Sequence, residues 1–142
     1  MEATPAVIRS TCRTMLILLT CPAVAAAQQD GSHSCGDEGT TLALGQCVRV
    51  QLQEADSTLA LYYDTALRRA AAPAELRQAQ AQWERFRDAD CHAISAQYQG
   101  GSLAPVAEGQ CRVDLAHERA HEIWSVYLRI TENPLPEPGV RE

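Results

Sequence analysis

The sequence contains no lysine. All twelve of its cationic side chains are arginine, set against eighteen acids. That balance argues against nucleic acid or an anionic membrane face as a partner, and in favour of a basic protein. Long apolar runs are missing too: Met15-Leu-Ile-Leu-Leu19 is far too short to cross a bilayer. No stretch alternates apolar and polar residues as a half-buried strand would, and no segment repeats, so β and solenoid architectures drop out. A Gly-rich phosphate loop, a nucleophile elbow and a basic–aromatic patch are equally absent. The sequence therefore implies neither a cofactor nor an enzymatic activity.

What is present begins with an export signal. Arg9 and Arg13 form a cationic start, Met15–Leu19 the apolar run, and Ala25-Ala26-Ala27 a small-residue cleavage site, so residues 1–27 read as a signal peptide. Cys12 and Cys21 leave with it. A lipoprotein acylated at Cys21 is the alternative, although Thr20 is a poor residue to precede such a cysteine. The expected location is periplasmic or secreted. Removing 27 of the 142 residues leaves 115, with ten Arg against seventeen acids, a net charge of −7. Four cysteines remain, Cys35, Cys47, Cys91 and Cys111, an even count that reads as two disulfides in an oxidising compartment.

Residues 28–40 form a polar, Gly-containing leader fixed only at Cys35. Thr40 or Thr41 is a suitable N-cap for a helix running to about Ala72. Its apolar face is Leu44, Val48, Leu52, Ala55, Leu59, Tyr62 or Tyr63, Ala66 and Leu67. Pro73 ends that helix and opens the next. The second helix runs to about Tyr98, with the stripe Leu76, Ala79, Trp83, Phe86 and Ala93 or Ile94 directed at the core. Gln99-Gly100-Gly101-Ser102 turns the chain. A third helix starts near Pro105, with Val106, Cys111, Leu115, Ala116, Ile123, Val126 or Tyr127, and Ile130 facing inward. The expected architecture is all-α: an antiparallel three-helix bundle over residues 41–131, followed by a disordered Pro-rich tail at 132–142. In that arrangement Cys91 and Cys111 lie at similar heights either side of the turn, which favours Cys91–Cys111 and Cys35–Cys47. Crossed pairings stay open, and so does the oligomeric state.

One motif has a catalytic form. His117-Glu118-Arg119-Ala120-His121 is H-E-x-x-H, which on a helix can place two His and a Glu around zinc. Arg119 and Glu122 sit where such sites carry uncharged residues, and no third ligand follows at a suitable place. The expectation is a water-facing helix side and no metal. Arg119 instead projects towards the apolar stripe and calls for a partner such as Asp56, Asp88 or Asp90. Trp83, Phe86 and Tyr63 read as packing residues, with Arg87, Asp88, Asp56 and Arg119 as an ion-pair set among them.

These residues carry a resemblance. Asp56-x-x-Leu59-x-x-x-Tyr63 is followed by Leu76-x-x-Ala79-Gln80-x-x-Trp83-x-x-Phe86-Arg87-Asp88-x-x-Cys91. Gly100-Gly101-Ser102-x-x-Pro105 comes next, then Cys111-x-x-x-Leu115-x-x-x-Arg119. In order and spacing the chain resembles the LprI-type lysozyme inhibitor family from about Cys35 to Ile130. It departs in Ala60, where Asn is usual, and in His117 and His121. The resemblance implies an all-helical, disulfide-braced exported protein that inhibits a lysozyme. Gly100, Gly101 and Ser102 then have two readings: an inhibitory turn reaching into a cleft that works through two carboxyl groups, or only the tight turn that the Cys91–Cys111 bridge requires. The alternative is an envelope binding or scaffold module without lysozyme activity.

Overall fold

The computed structural model describes residues 35–131 and 134–139. The expected signal peptide, the first part of the expected leader and the remainder of the tail lie outside the described residues. Three helices account for most of the chain: α1 (Thr41–Arg69), α2 (Pro73–Ala96) and α3 (Ala104–Ile123). A short 3-10 turn at Cys35–Asp37 precedes them, and among the described residues there is no strand.

Local chemistry sets the ends. The Thr40 hydroxyl accepts from Ala43 N at 3.1 Å, satisfying one of the otherwise unpaired first-turn N–H groups. Pro73 stands in the first turn of α2, where the N–H it lacks would have no helical partner. The bundle has α3 at its centre. It packs along both α1 and α2, while α1 and α2 touch each other only sparsely. The core is Ala55, Leu59, Tyr62 and Ala66 from α1, Leu76 from α2, and Val113, Ala116, Ala120 and Ile123 from α3, closed by Leu128. Small residues on α3 allow close approach. A Cβ on Gly109 would stand 2.7 Å from Val48 Cγ1, so α1 and α3 cross there almost backbone to side chain.

Both expected disulfides are formed, Cys35–Cys47 and Cys91–Cys111, with Cα separations of 5.8 and 5.5 Å. The first fastens the leader to α1 and the second joins α2 to α3.

Three expectations need correction. The inward face of α2 is Leu76, Gln80, Trp83, Arg87 and Cys91, rotated from the stripe read in sequence. Ala79, Phe86, Ala93 and Ile94 point outward, with Phe86 52% exposed. Cys91 has to face α3 to form its bridge, and it carries the whole helix round with it. At the end of α3 the chain continues as one π turn, Trp124–Leu128, closed by Arg129 N donating to Trp124 O at 2.9 Å. A π turn inserts an extra residue into the helical register. Leu128 is therefore buried, while Val126 and Ile130 are exposed. Finally, residues 134–139 are not loose. Tyr62 Oη donates to Pro136 O at 2.6 Å and Trp124 Nε1 to Leu135 O at 2.9 Å. His121 Nε2 lies 3.0 Å from Glu137 Oε1, Leu135 packs on the core and Pro138 is buried. Two aromatic donors at this end of the bundle need acceptors, and the tail's carbonyls supply them. Burial pushes the Tyr62 phenol above its usual pKa, which keeps it a donor.

The two helix glycines make opposite predictions. Gly109→Ala gains about 1 kcal/mol of helix propensity. Its methyl must displace the buried, β-branched Val48, which costs about 1–3 kcal/mol. Gly45→Ala meets only Val106 Cγ2 at 3.7 Å, ordinary contact. Thermal unfolding followed by circular dichroism should show a lower Tm for Gly109→Ala and a higher one for Gly45→Ala, each by a few degrees.

Candidate functional site

The end of the molecule carrying the α2–α3 turn is the one most elaborately held. Past Ala96 the helix tightens into 3-10 geometry: Gln97 N, Tyr98 N and Gln99 N donate to the carbonyls of Ile94, Ser95 and Ala96, all at 3.1 Å. Gln99 and Gly100 then take φ values of 50° and 75°. Only Gly adopts the second at no steric cost, whereas Gln99 stores strain in the left-handed region. Gly101 serves a different purpose from its neighbour. A Cβ there would lie 3.1 Å from Tyr98 O, the atom to which Gly101 N donates at 2.9 Å. The chain enters α3 through Ala104 N donating to Gly101 O at 2.9 Å, and Ser95 Oγ donates to Ala104 O at 3.2 Å across the two helices. One to two turns below, Cys91–Cys111 locks the same pair of helices.

Every residue from Gln97 to Leu103 is exposed, and Tyr98 and Leu103 stand on either side of the Gly100-Gly101-Ser102 tip. Ser102 also lies on the rim of an apolar groove of about 430 Å³ between the first turns of α1 and α3, floored by Val48, Leu52, Val106 and Gly109. The one charged side chain lining that groove is Arg49. Arg112 is tied up between Asp88 at 2.7 Å and Glu108 at 3.0 Å. Burial acts to lower its pKa, but hydrogen bonds to the two carboxylates outweigh that and raise it, so the guanidinium stays charged.

The other sequence-predicted residues form a brace away from the turn. Arg87 Nη1 lies 2.7 Å from Asp56 Oδ1, joining α2 to α1 where the two helices barely touch. The guanidinium of Arg87 sits 4.8 Å from the Trp83 ring centroid, and that of Arg119 sits 5.9 Å from it. Arg119 does not pair with Asp56, Asp88 or Asp90. It donates to Gln80 Oε1 at 3.2 Å and to Glu122 Oε2 at 2.7 Å, because α2 presents Gln80 rather than an acid at that height. Asp88 belongs to Arg112 instead. Tyr63 packs against the core, as expected, whereas Phe86 does not. Gln80 and Arg112 are members of these networks that sequence reasoning missed. The i, i+4 spacing of Glu108 and Arg112 was the available signal for the second.

The H-E-x-x-H residues have different surroundings. His117 is half-buried, Glu118 is exposed, and His121 pairs with Glu137 of the tail and tilts over Trp124 with ring centroids 5.7 Å apart. The side expected to face water does so at Glu118, while both histidines are partly covered. Among the described residues no group of three or more His, Cys, Asp or Glu is placed to hold a metal ion.

The brace is testable. Arg87→Met removes a mostly buried cation, and Asp56→Asn removes its counter-charge while leaving the cation in place. In a double-mutant cycle by urea unfolding, each single variant should cost about 1–3 kcal/mol, with a coupling energy near 1 kcal/mol. Purely additive losses would mean that the 2.7 Å contact contributes nothing.

No helix among the described residues is long and apolar enough to cross a membrane, and the two disulfides suit an extracytoplasmic location. Among curated proteins and among solved structures nothing matches the chain. A family model does: the one described as Lysozyme inhibitor LprI matches residues 32–123, from just ahead of the first disulfide to the end of α3. With nearly two thirds of its length matched, and with the helices and bridges that the resemblance implied in place, this chain belongs to the LprI family of lysozyme inhibitors.

Proposed function

We propose that this protein binds a basic muramidase outside the cytoplasm and obstructs its cleft with the Gly100-Gly101-Ser102 turn. The observation that carries this reading is the mechanical character of the turn. It projects with all seven residues from Gln97 to Leu103 exposed, yet its backbone is held by hydrogen bonds and by the Cys91–Cys111 bridge. A binding element ordered in advance loses little conformational entropy on association.

The chemistry is complementary to the target. A lysozyme cleft cleaves through one protonated and one ionised carboxyl group. A narrow turn without side chains at Gly100 and Gly101 can enter such a cleft, where the Ser102 hydroxyl and the turn's backbone N–H groups can donate to those carboxyls. Tyr98 and Leu103 add apolar contact on either flank, of the kind that anchors protein interfaces. The acidic surplus of the mature chain draws in a cationic partner and speeds encounter. No side chain of the inhibitor needs to react.

The test is titration of a lysozyme against the purified, oxidised mature protein. Ser102→Arg places a bulky cation at the tip without disturbing any buried group. It should weaken inhibition by about tenfold or more, as expected for losing a central contact, with the circular dichroism spectrum and Tm unchanged. Val126→Arg, at the opposite end, should leave inhibition as it was. If Ser102→Arg inhibits like the wild type, the tip is not the contact. If the wild type does not inhibit lysozymes at all, the muramidase reading itself fails.

A further inference from the structure

The outward face of α2 carries Ala79, Phe86 and Ala93 of the stripe that the sequence directs at a core. Ala79, Gln82, Phe86, Ala89, Ala93 and Ala96 are all exposed. They follow one another at steps of three, four, three, four and three residues, the a/d spacing of a two-helix seam. None is charged, and their centre is the chain's one phenylalanine, half in water. The charged residues of α2 from Arg77 onward lie beside this seam or on the other side of the helix. Two of them frame it. Arg85 and Asp90 occupy the flanking positions either side of Phe86, five residues apart, and among the described residues neither belongs to an ion pair within the chain.

We propose that this face is a self-association surface, on which α2 pairs with α2 of a second copy in the parallel sense. Charge complementarity selects both the occupant and the direction. In a parallel pair, the flanking residue before one a position meets the flanking residue five places on in the other helix. Arg85 then meets Asp90 of the second copy, and by the two-fold symmetry Asp90 meets Arg85 of the second copy. In the antiparallel arrangement that sets Phe86 against Ala89, Arg85 faces His92 and Asp90 faces Trp83, so no opposite charges meet. The alanines permit close approach along the remainder of the seam, and the two Phe86 rings stack at its middle. A single helix from each copy buries an area at the low end of specific interfaces, so the association is reversible rather than permanent. It places both α2–α3 turns at the same end of the pair. This inference does not rest on the identity of the partner bound there.

Sedimentation equilibrium of the oxidised mature protein tests it. At about 100 μM the mass should approach that of two copies and fall towards one on dilution. Phe86→Glu alters a side chain with no core contact. It should leave a monomer throughout that range, with unchanged helicity and Tm. Arg85→Asp should weaken the association by about tenfold, since it sets two acids together in place of a pair. The charge-exchanged variant Arg85→Asp/Asp90→Arg should recover it. A wild-type monomer across the range, a Phe86→Glu protein that still pairs, or an exchange that fails to restore pairing would each overturn the proposal.

Discussion

The Cys91–Cys111 bridge is the constraint from which most of this structure follows. It fixes the rotation of α2 about its own axis. With Cys91 turned to α3, the residues one and two turns earlier, Arg87 and Trp83, and then Gln80 and Leu76, are brought round to the same side. Two of these five positions are polar, and each is matched by a group that needs it: Gln80 by Arg119 and Arg87 by Asp56. The same rotation sends Phe86 and four alanines into water. The bridge also stands just below the turn, so the strain of Gln99 at φ 50° is held in a segment whose two ends are covalently joined. Rotation of a helix, polar content of the interior and rigidity of the tip are consequences of one bond.

The overall plan was readable from local signals. A threonine cap, a proline opening α2, a double glycine and a Pro-rich stop set element boundaries through backbone chemistry, which acts over a few residues and needs no tertiary context. The cysteine pairing was readable from helix geometry, although the crossed alternatives could be dismissed only in three dimensions. The rotation of α2 was not readable. Its apolar residues at helical spacing divide between two sides, Leu76 and Trp83 inward and Ala79, Phe86, Ala93 and Ile94 outward, and Gln80 and Arg87 carry no mark in sequence that they face inward. The inward turn of Arg119 was correctly inferred from its place between Leu115 and Ile123. Its partner was missed because an amide on another helix has no fixed sequence offset. The π turn at Trp124–Leu128 was equally hidden. It replaces Tyr127 and Ile130 with Leu128 in the core, and nothing in a periodic reading signals a one-residue slip.

The absence of lysine acquires a physical meaning once the arginines are placed. Arg87 and Arg119 both lie against the Trp83 ring while bonding oxygen acceptors, and Arg112 bridges two acids. A planar guanidinium with five donors can stack and fork at once, which an ammonium cannot. Arginine therefore lets the interstices between three thin helices be filled by polar groups that still satisfy their hydrogen bonds. A small core, in which four of the ten clustered residues are alanine, has need of such fillers.

That use of arginine also shapes the surface. Each cation drawn inward is neutralised where it sits, and it no longer offsets acids elsewhere. Near the α2–α3 turn, Arg112 is already shared between Asp88 and Glu108, so it adds no positive field of its own. The structural demand for internal cations and the acidity of the exterior are thus two sides of one distribution of charge. Such an exterior repels nucleic acid and anionic lipid and attracts a strongly basic protein, with a range set by the Debye length of roughly 8 Å at physiological salt. On the proposed reading, long-range attraction brings such a partner to the molecule, and the exposed turn beside the apolar groove is where it binds.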